Sequence, residues 1–380
     1  MKKVVLIALT VLTVVACKKS VTTVLDTGTV PISLSAGAPI SKVPNMGVRS
    51  KLFELSDQIG VVAALSDNAA MPATEAPDWT KAVYFDNSAS CCMSNTSSAP
   101  EVSKFSWGEA GAATIAESEF YPSKDGKIFL FAYSPYSIAK ADPAKTGYIA
   151  PDGTSSKPSL AIYLKDGNVE GEPTTDASAL QPDVLWYAGT TPVSSSVPTT
   201  CLNFNHALAQ LQFKVYRSEG SSSCKLVSIV FKTVKSGTMD ITTGAFTYPT
   251  TETGYETAAV YTITPKTGLT STEIPALKTT DVATQAFDVL KANGCSPLMI
   301  LPLDMATAQK GYLEVTCDYA GTGAAPSTQT FKCDLSTLGA GHVAGKLNTF
   351  NIKVSLTGIA IEATIAEWTA DGTSSDLETE

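Results

Sequence analysis

Short runs of alternating apolar and polar residues recur along the whole chain, and they set the first expectation. VPISLSA puts Val30, Ile32 and Leu34 on one face of a strand, with Pro31 suggesting an edge position. DQIGVVAAL, KIFLFAYSPY and LAIYLKDGN follow, the second and third beside Asp-Gly turn signals. Ile128 to Phe131 is apolar throughout, the pattern of a strand buried on both faces. PDVLWYAG predicts one more strand, and a Thr/Pro/Val/Ser loop then runs from Thr190 to Thr200.

The second half continues the pattern. In CLNFNHALAQLQFKVYR, Leu211, Phe213 and Val215 alternate with Gln212 and Lys214, which predicts a half-buried strand. KLVSIVFKTV alternates through Val227, Ile229 and Phe231. MDITTGAFTY, PLMILPL, GYLEVTCDYAG and TQTFKCDL extend the series, with GTGAAP (Gly321 to Pro326) as a hairpin turn between the last two. In TFNIKVSLTGIAIEATIAEW, Phe350, Ile352, Val354 and Leu356 share one face. Gly358 then shifts the phase to Ile359, Ile361 and Ile365, as at a bulge or a change of sheet. Amphipathic helices of more than a few turns are not visible. The pattern predicts an all-β chain of two sandwich-like domains, divided in the loop before Thr200.

Composition fits this reading. A length of 380 residues suffices for two cores, and only 17% charged residues, a net charge of −9 and abundant Ser, Thr, Ala and Gly make a β-rich extracellular composition. The only arginines are Arg49 and Arg217, and no basic patch offers itself to nucleic acid.

The amino terminus changes the picture most. Lys2 and Lys3 precede an apolar run from Val4 to Val15, too short to span a bilayer comfortably. Val14-Val15-Ala16-Cys17 has the form of a lipobox, with cleavage between Ala16 and Cys17 and a lipid on Cys17. An ordinary signal peptide that happens to contain a cysteine is the alternative. Acyl chains on Cys17 would tether the exported chain to a membrane without a spanning helix.

Seven cysteines remain: Cys91, Cys92, Cys201, Cys224, Cys295, Cys317 and Cys333. The odd number argues against a complete disulfide framework, and no metal-ligand spacing stands out. Cys317 with Cys333, on the apolar phase of neighbouring predicted strands, is the best candidate disulfide; buried free thiols are the alternative. Cys91-Cys92 lies in a Ser/Asn-rich stretch that reads as a loop.

Candidate chemistry is sparse. His206, between Phe204 and Leu208 at the head of a strand, reads as a satisfied, partly buried histidine, and His342 is the only other one. A nucleophile elbow, an H-E-x-x-H run, an EF-hand and a P-loop are all missing from the sequence, so neither a catalytic residue nor a cofactor or metal is expected. A glycosidase needs only two carboxylates, which leaves a glycan-active enzyme as a distant alternative. Trp186 and Trp368 continue strand patterns, whereas Trp79 and Trp107 lie in polar sequence and are freer to act as sugar-stacking contacts.

Five stretches, in order, resemble the fimbrillin family of Bacteroidales pilus subunits. VRSKLFELSDQIGVVAAL is similar to the start of the family's processed domain, and FYPSKDGKIFLFAYSPY to its aromatic strand. QPDVLWYAG resembles the strand near the end of the first domain, LNFNHALAQLQFKV the one opening the second, and GKLNTFNIKVSLTGIAIEATIAEW the carboxy-terminal pattern. The resemblance implies two transthyretin-like β-sandwich domains in tandem and a surface lipoprotein precursor held at the outer membrane. It further implies a trypsin-like protease that cuts after an arginine, removing the lipid and the first strand. The open groove then accepts a strand from a neighbouring subunit, usually from its carboxy-terminal region.

On this sequence the matching cut falls between Arg49 and Ser50, and the removed strand is VPISLSA. The implied divisions are a signal peptide at 1–16, a propeptide at 17–49, an amino-terminal sandwich at 50–195 and a carboxy-terminal sandwich at 196–380. Arg49 stands in PNMGVRS, a polar Gly/Pro-containing stretch suited to nicking, although an uncut surface arginine is the plainer alternative. The tail after Trp368 is polar and acidic, so any donated strand must be Gly358 to Trp368. The expected protein is a non-enzymatic stalk or tip subunit serving adhesion. Its expected partners are other fimbrial subunits, the maturation protease and a host or bacterial surface ligand. A surface glycan-binding lipoprotein that keeps its anchor is the alternative.

Overall fold

The structure, a computed structural model, describes residues 31–37, 53, 57–66, 76–80, 83–95, 102–108, 119–122, 126–136, 147–149, 156–164, 167–169, 183–197, 199–249, 259–265, 267, 269, 272–295, 297–303, 311–319, 327–335 and 341–367. Ala16, Cys17, Arg49, Ser50, Gly321 to Pro326 and Trp368 lie outside these residues.

The described chain is all-β. A first sheet contains β1 (Ser33–Gly37), β2 (Gln58–Leu65), β3 (Phe85–Asn95), β4 (Val102–Trp107) and β5 (Lys127–Ser134). Its order runs Thr199–Leu202, β1, β4, β3, β2, β5, Leu185–Ala188, Asn205–His206, with Val193–Ser194 also paired to β5. The central strands β2 and β5 are buried along nearly their whole length. As the apolar run at Ile128 to Phe131 predicts, this sheet has a core on each face. Ile59, Val61, Ile128 and Leu130 enter the first core, while Val62, Phe129, Phe131 and Tyr133 enter the second. Gly60 is opposite Tyr133 and lies under its ring; a Cβ there would come within 2.3 Å of the ring atoms. Only glycine leaves room for that close approach.

The second core is enclosed by three smaller sheets. In one, Ala209–Ser218 pairs in parallel with Lys346–Ser355, which pairs antiparallel with Gly358–Glu367. The next runs Ser327–Asp334, Tyr312–Tyr319, Cys224–Thr233, Ala259–Ile263, Gly167–Val169, and the last runs Phe246–Thr247, Ser236–Asp240, Ser159–Tyr163, Gly147–Ile149. The halves of the sequence interleave: Ser159–Tyr163 pairs with Ser236–Asp240, while Thr199–Leu202 joins the first sheet. Tyr312–Tyr319 and Ser327–Asp334 form the expected antiparallel pair.

Several expectations are corrected. Pro31 does not mark an edge, because β1 is bordered on both sides; the proline sits just before the strand, in an isolated bridge with Phe120. Ala209–Ser218 is buried on both faces, its polar Gln212 satisfied by a hydrogen bond to Thr349 Oγ1 (2.8 Å). Val227 is turned outward by a bulge between Leu226 and Ser228, which hands the inward phase to Leu226. Gly358 is neither bulge nor sheet change: Leu356 and Thr357 make a two-residue turn, and Ser355 faces Gly358 in a hairpin. Cys91 and Cys92 lie inside β3, where a bulge between Cys91 and Met93 breaks the alternation.

Candidate assembly groove

β1 lies between two strands that are far from it in sequence. Leu34 faces Phe105 and Ala36 faces Ser103 across an antiparallel ladder with β4. On its other side Ser33 to Ala36 pair in parallel with Thr199 to Leu202. Alternation along the strand aims Ile32, Leu34 and Ala36 into the first core, where they are 2%, 4% and 0% exposed, while Ser33 faces out.

The floor of this slot is aromatic. Phe53 packs edge-on to Phe105, with ring centroids 5.2 Å apart, and lies 5.2 Å from Phe204. Trp107, Tyr121 and Leu202 complete the same cluster. Polar contacts to β1 go largely to its backbone. Trp107 Nε1 donates to the Ile32 carbonyl at 2.9 Å, and the Ile32 amide donates to the Glu119 carbonyl at 2.8 Å. The Ser35 hydroxyl donates to the Thr200 carbonyl at 3.4 Å. At one end of the slot the Tyr121 hydroxyl donates to the Val197 carbonyl, and burial raises the pKa of that phenol above its ordinary value. Such contacts recognise a strand as a strand; the depth of the apolar pockets decides which side chains it carries.

The remaining candidates from the sequence do not gather there into a reactive site. His206 is buried, and its Nδ1 donates to Asp183, 3.0 Å from each carboxylate oxygen. His342 is also buried, against the rings of Phe231 and Phe350, and neither ring nitrogen has a hydrogen-bond partner. Burial pushes its pKa down to about 4, because a charged ring would be poorly solvated there. Among the described residues, no group of three or more His, Cys, Asp and Glu side chains could hold a metal ion.

Trp107 is 7% exposed and committed to Ile32, which corrects its reading as a free surface contact; its strand, β4, was hidden by polar sequence. Trp79 is half-buried with its ring centroid 5.3 Å from that of Phe131, and Trp186 is also half-buried. The Cys317–Cys333 pairing is not formed. The register sets Cys317 opposite Gln329 and Cys333 opposite Leu313, so the two cysteines share a face of the sheet but stand four positions apart along the ladder, too far for a disulfide. Sequence reasoning missed β4 and Thr199–Leu202, the walls of the slot. Their signal was weak: each is short, and each spends at least half its positions on Ser, Thr, Lys or Cys.

A family model described as fimbrillin-like matches residues 45–368. No curated protein matches the chain. A crystal structure of a fimbrial protein from Bacteroides vulgatus ATCC 8482 is similar over 82% of this chain and 93% of its own, at 15% identity and a TM-score of 0.52. A fimbrial assembly protein from Parabacteroides distasonis ATCC 8503 covers 88% of this chain and 97% of its own, at 11% identity and a TM-score of 0.37. The extent of the family match, from just before the first sheet's β2 to the end of the last hairpin, settles kinship: the chain belongs to the fimbrillin-like family.

Proposed function

We propose that this protein is a stalk or tip subunit of a cell-surface fimbrium that assembles by exchanging its first strand for one from another subunit. Membership of the fimbrillin-like family supports the coarser part, a fimbrial subunit whose partners are other fimbrial subunits. The finer part rests on β1, a short strand whose two neighbours in the sheet are both distant in sequence and whose apolar side chains fill the first core.

In this reading the precursor is exported as a lipoprotein held at Cys17 and is cut between Arg49 and Ser50. The cut severs β1 from the sheet it completes. Its loss opens two unpaired ladders and apolar pockets worth on the order of 1.5–3 kcal/mol for each large side chain. A strand from a second subunit replaces it. The last hairpin strand of this chain carries a matching order of sizes: Ile359, Ile361, Ala363 beside Ile32, Leu34, Ala36.

The test is limited trypsin digestion of the purified precursor, followed by amino-terminal sequencing and mild-detergent gels. A stable product beginning at Ser50 and a ladder of multimers are expected, with both lost in Arg49→Ala. A precursor that resists cleavage, or a cleaved product that stays monomeric at high concentration, would overturn the exchange.

A further inference from the structure

Cys317 has a different neighbour from the one its sequence pattern suggests. In the ladder between Cys224–Thr233 and Tyr312–Tyr319, Cys224 is opposite Tyr319 and Leu226 is opposite Cys317. Cys224 and Cys317 are therefore diagonal neighbours on the same side of the sheet. Both face the second core and are almost completely buried, at 2% and 0% exposure. Their thiols share a hydrogen bond. The bulge between Leu226 and Ser228 lies in the same ladder, and a bulge strengthens local twist, which draws one diagonal of same-face neighbours together.

The surroundings hold this pair in place. The Cys224 carbonyl accepts from the Ile274 amide (2.9 Å), and the Leu226 amide donates to the Thr272 carbonyl (3.0 Å), so the strand end is pinned from the side away from Cys317. Arg217 braces the same corner: Nε donates to the Ile274 carbonyl and an Nη to the Ser221 carbonyl, with Glu273 3.5 Å from the guanidinium. The Tyr319 hydroxyl donates to the Ser355 carbonyl at 2.6 Å, tying the strand that bears Cys317 to the last hairpin.

We propose that Cys224 and Cys317 are a disulfide site, closed when the chain folds in an oxidising compartment outside the cytosol. The step is a two-electron oxidation. The two thiols lose two protons and two electrons as the S–S bond forms; a disulfide of an exchange oxidoreductase, or of an oxidised small thiol, accepts them and becomes two thiols. Because the folded sheet seals both sulfurs, the bond forms while the two strands are coming together. It closes a loop of roughly 90 residues, the length range in which a cross-link restricts the unfolded chain strongly. The site rests on export of the chain and is independent of the strand exchange proposed above.

The test is a peptide map of the full chain, folded once in an oxidised-glutathione buffer and once after export to a bacterial periplasm. Each sample is unfolded in N-ethylmaleimide without reductant. The expected result is one linked peptide pair containing Cys224 and Cys317, released by reductant, with the other cysteines alkylated. Cys333→Ser should leave this link intact, whereas Cys224→Ser should abolish it and free Cys317 for alkylation. Reductant should lower the thermal midpoint of the wild type and leave that of Cys224→Ser/Cys317→Ser unchanged. Full alkylation of both cysteines in wild type from both sources, or a link from Cys317 to Cys333, would overturn the proposal. As the map is read on wild-type protein, it decides the matter even where a variant fails to fold.

Discussion

β1 and the strand Gly358–Glu367 are both terminal pieces of apolar alternation, yet they are held in different ways. The last strand is ten residues long and pairs along its full length with Lys346–Ser355 through a tight turn. Its inward residues Ile359, Ile361 and Ala363 are only half-buried, and Ile365 is 46% exposed. β1 is five residues long, its ladder partners lie far off in sequence, and the side chains it sends inward are almost fully buried. The hairpin strand is held mainly by its backbone ladder and chain connection, and β1 mainly by side-chain burial. A strand bound through deep pockets by distant neighbours is bound much as a ligand is, and the last strand has apolar area left over for deeper burial elsewhere.

The strongest way to break this comparison is to truncate matching positions. Leu34→Ala should cost about 3 kcal/mol in the uncut protein, and Ile361→Ala only about 1 kcal/mol, because its site is half open to water. Urea denaturation of each variant reads the difference, and equal costs would erase the distinction between depth and length.

Acid should act on the side of the hairpin. His342 is held to about 4 in the folded chain against 6.5 in an unfolded one. Between those values the unfolded state binds a proton that the folded state does not. Stability is thus full above about pH 6.5 and declines as the pH falls toward 4, by on the order of 3 kcal/mol. His342→Leu should flatten this slope in denaturation midpoints taken across that range.

Enlarging the small position sharpens the contrast further. Ala36→Leu should destabilise by about 2 kcal/mol through overpacking, while Ala363→Leu should fall within about 0.5 kcal/mol of wild type. Thermal unfolding of the pair would show it. A smaller loss than that of Ala36→Leu is expected for Trp107→Phe, which keeps an aromatic ring in the floor but removes the bond to the Ile32 carbonyl, at about 1 kcal/mol. Amide exchange at β1 should accelerate in that variant, with exchange in the last hairpin unchanged.

Much of the fold was legible where the apolar pattern runs unbroken, whether a strand is buried on one face or on both. Ile128 to Phe131 and Tyr312–Tyr319 followed from apolar phase, and the family from five short motifs, whereas the turn of the last hairpin was taken for a bulge or a change of sheet. Legibility failed where polar residues are buried, as in Ala209–Ser218 with Gln210 and Gln212 inside. It failed also where bulges reset the phase, at Cys91/Met93 and at Leu226/Ser228. Of the groove, the sequence revealed the strand β1 but not its walls. β4 hides Ser103, fully buried, among the serines and lysines of a polar stretch, and the parallel pairing with Thr199–Leu202 is a relation between distant residues that no local pattern records.

The walls of the slot have a further consequence. Since β1 runs antiparallel to β4 and parallel to Thr199–Leu202, reversing an occupant would merely exchange the two kinds of ladder. Backbone pairing alone therefore distinguishes poorly between the two directions of entry. The gradient from Ile32 and Leu34 to Ala36, two wide pockets and then a narrow one, is what gives the slot a heading. A filament built through it would inherit that heading at every joint: a head-to-tail contact that does not close on itself, with two chemically different ends, one offering an empty slot and the other an unspent strand.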